Sequence, residues 1–244
     1  MLGYGKSDVG KVRANNEDVI YVNNEGLGCL SNLFVVADGM GGHNAGEIAS
    51  KRAVSAFCEF FEKNSAFVYI QDFLADGLAH ANERVHLDAE NMPELAGMGT
   101  TFSACTADEN NLYYTHVGDS RIYAVKKGEL IQLTRDHSLV AEMIEKGDVT
   151  QEEASSHPDK NIITRAVGTD LHVNIDKGYF PLDDVKYILL CSDGLTDMLK
   201  DGEIAKIMQA DDTAANKVES LIAAALEAGG VDNISVIVMG WGNK

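Results

Sequence analysis

Residues 35–50 read VVADGMGGHNAGEIAS. The apolar run Leu33-Phe34-Val35-Val36-Ala37 that leads into them reads as a buried strand. It ends on a single acid, Asp38, and glycines follow at 39, 41 and 42. A helical pattern then starts near Asn44, where Asn44 and Glu47 have the spacing of an N-cap and the third helical residue. A carboxylate thus stands at a strand end, beside flexible backbone and ahead of a helix N-terminus. Such a place suits a hard cation or a phosphate. It equally suits a plain strand–turn–helix joint, since Asp-Gly is a common turn pair. The rest of the chain decides between the two.

Upstream, Arg13-Ala14-Asn15-Asn16-Glu17-Asp18 leads into a short strand over 19–22, and the turn-rich segment 24–32 separates it from strand 33–37. An antiparallel hairpin is the simplest pairing. It brings Asp18, before the first strand, and Asp38, after the second, to the same end. The device returns near the C-terminus. Strand 185–191 ends in Ser192-Asp193-Gly194, and Gly229-Gly230-Val231-Asp232-Asn233 leads into a last strand over 234–239. If these two strands are antiparallel, Asp193 and Asp232 also share one rim.

The segments between read as scaffold. A helix after Asn44 places Ala49, Ala53, Ala56, Phe57 and Phe60 on one face, and a helix near 68–89 does so with Ile70, Leu74, Leu78, Ala81 and Val85. His80 and His86 then fall on the solvent side. Residues 97–135 read as a β-meander in which Gly118-Asp119-Ser120 turns strand 112–117 back into 121–125; Asp119 is by default a turn former. A short helix follows at 138–146, then a polar stretch over 147–170 that reads as a surface flap. Strand 172–179 and helices near 201–209 and 213–228 complete the pattern.

A chain of 244 residues without a linker-like tract reads as one domain, 1–244. The net charge of −18 argues against nucleic acid and against an anionic membrane surface. An anionic substrate would need local cations, from metals or a placed arginine. The four cysteines form no CxxC pair and read as buried free thiols. Gly5-Lys6-Ser7 lacks the upstream glycine of a nucleotide-binding loop. The first residues have no apolar signal core, and no run reaches the ~20 apolar residues of a membrane span. The expectation is a soluble, cytoplasmic monomer with no nucleic-acid or membrane partner.

Four aspartates at strand ends point to a metal centre. There is no HExxH and no Cys/His cluster, which disfavours zinc. Oxygen ligands favour Mg²⁺ or Mn²⁺. Clustered carboxylates repel unless cations neutralise them. Two divalent ions about 4 Å apart would do so and would activate a bridging water. Phosphate monoesters, among the slowest uncatalysed hydrolyses, call for that chemistry. No GxSxG elbow offers a nucleophile instead. Arg13, five residues before Asp18, can reach the same rim to grip phosphoryl oxygens; by position alone it could also be a solvated charge.

Longer motifs carry a family resemblance. They are Ser7-Asp8-Val9-Gly10; Arg13-x-x-Asn16-Glu17-Asp18; Asp38-Gly39-Met40-Gly41-Gly42-His43 with Gly46, Ala49 and Ser50; and Gly97-Met98-Gly99-Thr100-Thr101. Val117-Gly118-Asp119-Ser120-Arg121, Leu133-Thr134-x-Asp136-His137-Ser138 and Ile163-Thr164-Arg165-Ala166-Val167-Gly168 follow, then Ser192-Asp193-Gly194-Leu195 and Asp232-Asn233-Ile234-Ser235-Val236. In this order, over nearly the whole chain, they resemble the metal-dependent serine/threonine protein phosphatases of the 2C (PPM) family, in its short bacterial form.

The resemblance implies an α+β fold, a four-layer αββα sandwich of two antiparallel sheets flanked by helices, with a flap near 147–165. It implies hydrolysis of phosphoserine and phosphothreonine by attack of a metal-bridging water or hydroxide, with two Mn²⁺ or Mg²⁺ ions and a third in short bacterial members. Carried over by position, Asp38 bridges two metals, the Gly39 carbonyl binds one, and Asp193 and Asp232 bind the other. Asp18 and Glu17 lie close, Asn233 supports the site, Arg13 holds the phosphate, and Asp119 with Asp193 contributes to the third metal. Some eukaryotic members place a histidine as general acid where this chain has Met40. His43 or a metal-bound water is the substitute here. The implied partners are phosphorylated proteins, substrates of a serine/threonine kinase and the kinase itself. Two other readings stand beside this one: a catalytically inactive phosphoprotein-binding regulator, and a phosphatase dedicated to one anti-sigma-type regulator.

Overall fold

Each strand–acid device becomes a strand pair, and the two pairs lie in different sheets. The computed structural model describes residues 1–42, 45–155 and 157–241. In chain order its strands are β1 (Leu2–Asp8), β2 (Asp18–Asn23), β3 (Leu33–Met40), β4 (Gly99–Thr100), β5 (Phe102–Ala107), β6 (Asn111–Val117), β7 (Arg121–Lys126), β8 (Glu129–Gln132), β9 (Asp176–Pro181), β10 (Val185–Cys191) and β11 (Ile234–Gly240). The helices are α1 (Ala45–Lys63), α2 (Ile70–Asn91), α3 (Leu139–Lys146), α4 (Gln151–Ser155), α5 (Asp193–Thr196), α6 (Asp201–Gln209) and α7 (Ala214–Glu227). One antiparallel sheet runs β2-β3-β5-β6-β9, with β4 paired to β3; the other runs β1-β11-β10-β7-β8.

The layers follow from which residues each strand buries. On β3, Val35 and Ala37 pack under α1 and α2, while Phe34 and Val36 face the other sheet. A strand covered on both sides needs apolar residues at every position, which is why 33–37 shows no alternation. On β11, Ile234, Val236 and Val238 face α5–α7, and Ile237 and Met239 face inward. The inward residues of both sheets, among them Phe34, Cys105, Ile122, Ile188 and Leu190, form the middle core. The result is the four-layer αββα sandwich that the resemblance implies. Among the described residues no helix is long and apolar enough to cross a membrane.

Several expectations fail, each for a physical reason. Residues 97–135 are not one meander. β5 pairs β6 in the first sheet, but β7 pairs β10 and β8 in the second. Gly118-Asp119-Ser120 therefore carries the chain from one sheet to the other. Gly118 takes φ +107°, and a Cβ there would lie 2.6 Å from Thr101 Cβ. β1 carries no strand signal in the sequence because glycines interrupt it. A Cβ on Gly3 would come 2.2 Å from the Phe34 ring, so glycine is what lets this strand lie close to the other sheet. The strand expected at 172–179 is β9, which begins at Asp176, where pairing with His116 of β6 starts.

On α1 it is Phe61, rather than Phe60, that is fully buried; it packs edge-on to Phe73 at 5.0 Å, beside Gly77. His86 does not face solvent: its Nδ1 lies 3.1 Å from Gly168 O. The 147–170 stretch is not all surface. It contains α4, and its end returns to the core, with Ala166 and Val167 buried and Val167 exchanging backbone hydrogen bonds with Thr100. Of the four cysteines, Cys105 and Cys191 are buried, Cys58 is half-buried and Cys29 is exposed. The Asn44 cap lies outside the described residues.

Candidate metal centre

Asp18 and Asp38 stand directly opposite each other in the β2–β3 register. The ladder fixes their backbones, and β4–β5 fixes Asp38 further. Asp38 N–H donates to Thr101 Oγ1 at 3.0 Å, and its carbonyl accepts from Thr101 N at 2.8 Å and Thr100 Oγ1 at 2.9 Å. Gly39 is pressed against the first turn of α1: a Cβ would lie 2.1 Å from Gly46 O. No other residue fits there.

In the second sheet, β10 ends at Cys191, and Ser192 passes the chain into α5, whose first residue is Asp193. Asp232 precedes β11. The two segments touch through backbone, because a Cβ on Gly194 would lie 1.9 Å from Asn233 O. Two residues then tie this rim to the first. Ser192 Oγ donates to Asp18 Oδ2 at 2.7 Å. Asn233 accepts from Glu17 N at 2.8 Å and donates to Val9 O and Asn15 O, each at 2.9 Å. Asn233 thus clamps the segment carrying Arg13, Glu17 and Asp18 onto the loop carrying Asp232.

The carboxylates converge where the sheets meet. The Asp38 carboxyl lies close to those of Asp193 and Asp18. Burial first, then the charges of Asp18, Asp193 and Asp119, hold the Asp38 carboxyl well above the usual carboxylate range. Burial and then Asp119, Asp197 and Asp232 do the same to Asp193. Burial pushes Asp18 up to about 6 against the opposing hydroxyls of Ser235 and Ser192. Asp119, in the turn that crosses between sheets, is pushed up to about 7 by burial and then Asp136, with Arg121 opposing. Burial also raises Glu17, and Arg13 lowers it. Arg13, half-exposed, lays Nη2 2.7 Å from Asp232 Oδ2.

These residues fit hard divalent cations. The donors are all oxygen, and they are buried acids that penalise one another's charge. Asp18 Oδ1 and Asp193 Oδ1 are buried with no hydrogen-bond partner among the described residues, the state of an acceptor suited to a cation. Among the described residues no three acids, histidines or cysteines stand ready-spaced as a cage. The aspartates' shared burial and the two orphaned oxygens suit cations that take the place of protons, because carboxylate ligands must be deprotonated to bind a metal.

Of the sequence-predicted residues, Asp18, Asp38, Gly39, Asp119, Asp193, Asp232, Glu17, Asn233 and Arg13 come together at this junction. His43 lies outside the described residues. Sequence reasoning missed the hydroxyl scaffold. Thr101 Oγ1 lies 2.7 Å from Ser120 Oγ, and Ser103 Oγ donates to Ser120 O at 3.0 Å, so the Asp38 end of β3 is linked to the Asp119 turn. It also gave no role to Arg121, whose guanidinium grips Asp136 through Nε and Nη2 and braces that turn. The available signal was the hydroxyl residue adjoining Asp119 and Asp193, in Asp119-Ser120 and Ser192-Asp193. His116 and His137 pack behind the turn. His116 Nε2 lies 3.0 Å from Arg135 O, and burial pushes its pKa down to about 4. His137 Nδ1 accepts from Gly118 N at 3.1 Å.

The model of the family described as "Protein phosphatase 2C" matches residues 11–227. Protein phosphatase PhpP of Streptococcus pneumoniae is 39% identical over 237 residues, covering 96% of this chain and 94% of the relative. The crystal structure of serine/threonine phosphatase Stp1 from Staphylococcus aureus superposes with a TM-score of 0.92 at 34% identity, covering 100% of this chain and 96% of that one. The catalytic domain of the serine/threonine protein phosphatase PstP, crystallised with two manganese ions, superposes with a TM-score of 0.80 at 34% identity, covering 97% and 96%. With the model match spanning most of the chain and this likeness end to end, the chain belongs to the protein phosphatase 2C family.

Proposed function

We propose that this chain is a metal-dependent protein serine/threonine phosphatase that hydrolyses phosphoserine and phosphothreonine in phosphorylated proteins. One observation carries the reading: aspartates from two sheets meet in a buried cluster with a half-exposed arginine on its rim. The two manganese ions of the PstP catalytic domain support two Mn²⁺ or Mg²⁺ ions here. Asp38 would hold both, Gly39 O one of them, and Asp193 and Asp232 the other, with Asp18 and Glu17 close by. Asp119, beside Asp193, is the ligand proposed for a third.

When bound, such ions supply Lewis acidity for the attack of water on phosphorus. The chain's own residues do the rest. Gly39 leaves its carbonyl free of any side chain. Asn233 and Ser192 hold the two rims in register. Arg13 presents a planar fork that suits two phosphoryl oxygens, and it exchanges the Asp232 carboxylate for them. His43 is the proposed proton donor to the leaving alkoxide. We further propose a single catalytic domain over 1–244, acting as a cytoplasmic monomer on the substrates of a serine/threonine kinase and on the kinase itself. An inactive regulator would lack a ligand, whereas Asp18, Asp38, Asp193 and Asp232 are all present.

The test is hydrolysis of p-nitrophenyl phosphate and of a phosphothreonine peptide. Activity should require Mn²⁺ and vanish with EDTA. Arg13→Ala should raise KM by about tenfold and leave Mn²⁺ affinity intact. Absence of hydrolysis at millimolar Mn²⁺ would sink the reading.

A further inference from the structure

Arg13 has apolar neighbours that the reaction does not explain. Val9, Val12 and Val231 are 36%, 69% and 47% exposed. Single exposed valines are ordinary, and turns usually carry polar residues. These valines sit on two turns locked together. Lys11 N–H donates to Gly230 O at 2.7 Å, and Asn233 Nδ2 donates to Val9 O at 2.9 Å. Gly10, at φ +78°, packs so tightly that a Cβ would lie 2.2 Å from Asp232 O. The valine-bearing turns therefore form one rigid ledge. Val12 immediately precedes Arg13, and Val231 immediately precedes Asp232, the residue on which the Arg13 guanidinium rests.

We infer that Val12 and Val231 form a subsite for the residue adjoining the phosphoserine or phosphothreonine of a substrate polypeptide, and that an aliphatic or aromatic side chain is favoured there. The inference rests on the phosphatase reading. The occupant follows from continuity: Val12 and Val231 adjoin Arg13 and its partner Asp232 in the chain, and a polypeptide whose phosphoryl group sits on Arg13 carries its next residue only about 3.8 Å further along. A ledge held by the Lys11–Gly230 and Asn233–Val9 hydrogen bonds loses little freedom when covered, so its burial goes into binding. The net charge of −18 adds a penalty for acidic residues at that position.

The experiment compares phosphothreonine peptides identical except for the flanking residues, leucine in one and glycine in the other. Both are assayed with Mn²⁺ on the native protein and on the Val12→Ser/Val231→Ser double variant. The native protein should favour the leucine-flanked peptide in kcat/KM by about tenfold, chiefly through KM. The double variant should treat the two peptides within about twofold, with its rate on the glycine-flanked peptide unchanged. Equal native rates on the two peptides, or a leucine preference that survives in the variant, would overturn the inference and leave the phosphatase reading standing. If the native protein hydrolyses neither peptide, the phosphatase reading itself falls and takes the subsite with it.

Discussion

Asp18 and Asp38 face each other inside a strand ladder, whereas Asp193 and Asp232 stand on segments just beyond one. The same sequence device, an acid at a strand end beside glycine, thus yields two different mechanical settings. In the first sheet the β2–β3 register and the Thr100–Thr101 bonds fix the carboxylates. In the second, a helix start and a loop meet through Gly194 and Asn233, and Asp232 is open enough to bind Arg13. The first half offers a rigid centre. The second offers a rim that can exchange partners, as a site that admits substrate requires.

The largest expected effect tests that asymmetry. Asp38 touches acids of both halves, while Asp232 touches Arg13 at the rim. Asp38→Asn should cut kcat/KM by about a thousandfold or more and abolish Mn²⁺ binding in calorimetric titration. Asp232→Asn should retain one Mn²⁺ site and lose less activity. Equal losses of metal in both variants would erase the distinction between centre and rim.

Steric substitutions come next. Neither Gly39 nor Gly194 has a left-handed backbone, so any cost of Ala there is collision alone. Gly39 is hemmed in by Gly46 O and by Glu17 O at 2.7 Å, and the ladder prevents it from moving aside. Gly194 is the second residue of a short helix and is held by no strand ladder. Gly39→Ala should cost about 3 kcal/mol in urea unfolding and Gly194→Ala about 2 kcal/mol. The reverse order would show that the helix start is the more rigid half.

The smallest effect is in pH. Asp18 and Asp119 are held at about 6 and about 7, above their unfolded value of 3.8. Each keeps a proton on folding, so its contribution is full below about 4 and is lost as pH rises through its folded pKa. Metal-free protein should lose stability from these groups across that window. Mn²⁺ competes with the same protons, so the Tm increase on adding Mn²⁺ should be about 5 °C larger at about pH 7.5 than at about pH 5.5. The lowered His116 pKa acts with and without metal and cancels in that difference. An increase independent of pH would show that the carboxyls are not proton-loaded.

Much of this site is legible in the chain because it is local. Asp18 and Asp38 belong to one hairpin, and a hairpin's register follows from nearby alternation and turns. The doubly covered β3 announces itself as an unbroken apolar run. The ordered motifs mark Asp193, Asp232 and Asn233 as well. β1 was hidden because its glycines serve packing against Phe34, a residue of the other sheet. The place of Asp119 was hidden because two strands joined by three residues suggest a hairpin, and nothing nearby says that they join different sheets.

By itself, then, the sequence determined most of the elements, the two strand–acid devices and the acids that matter, since each of these is written within a few residues. Only the tertiary structure decided that the devices meet. That depends on bonds spanning most of the chain: Ser192 to Asp18, Asn233 to Glu17 and Val9, and Arg13 to Asp232. A carboxylate is an unremarkable turn residue until a second sheet buries it beside three others. Burial without a countercharge is what turns those acids into a place for cations.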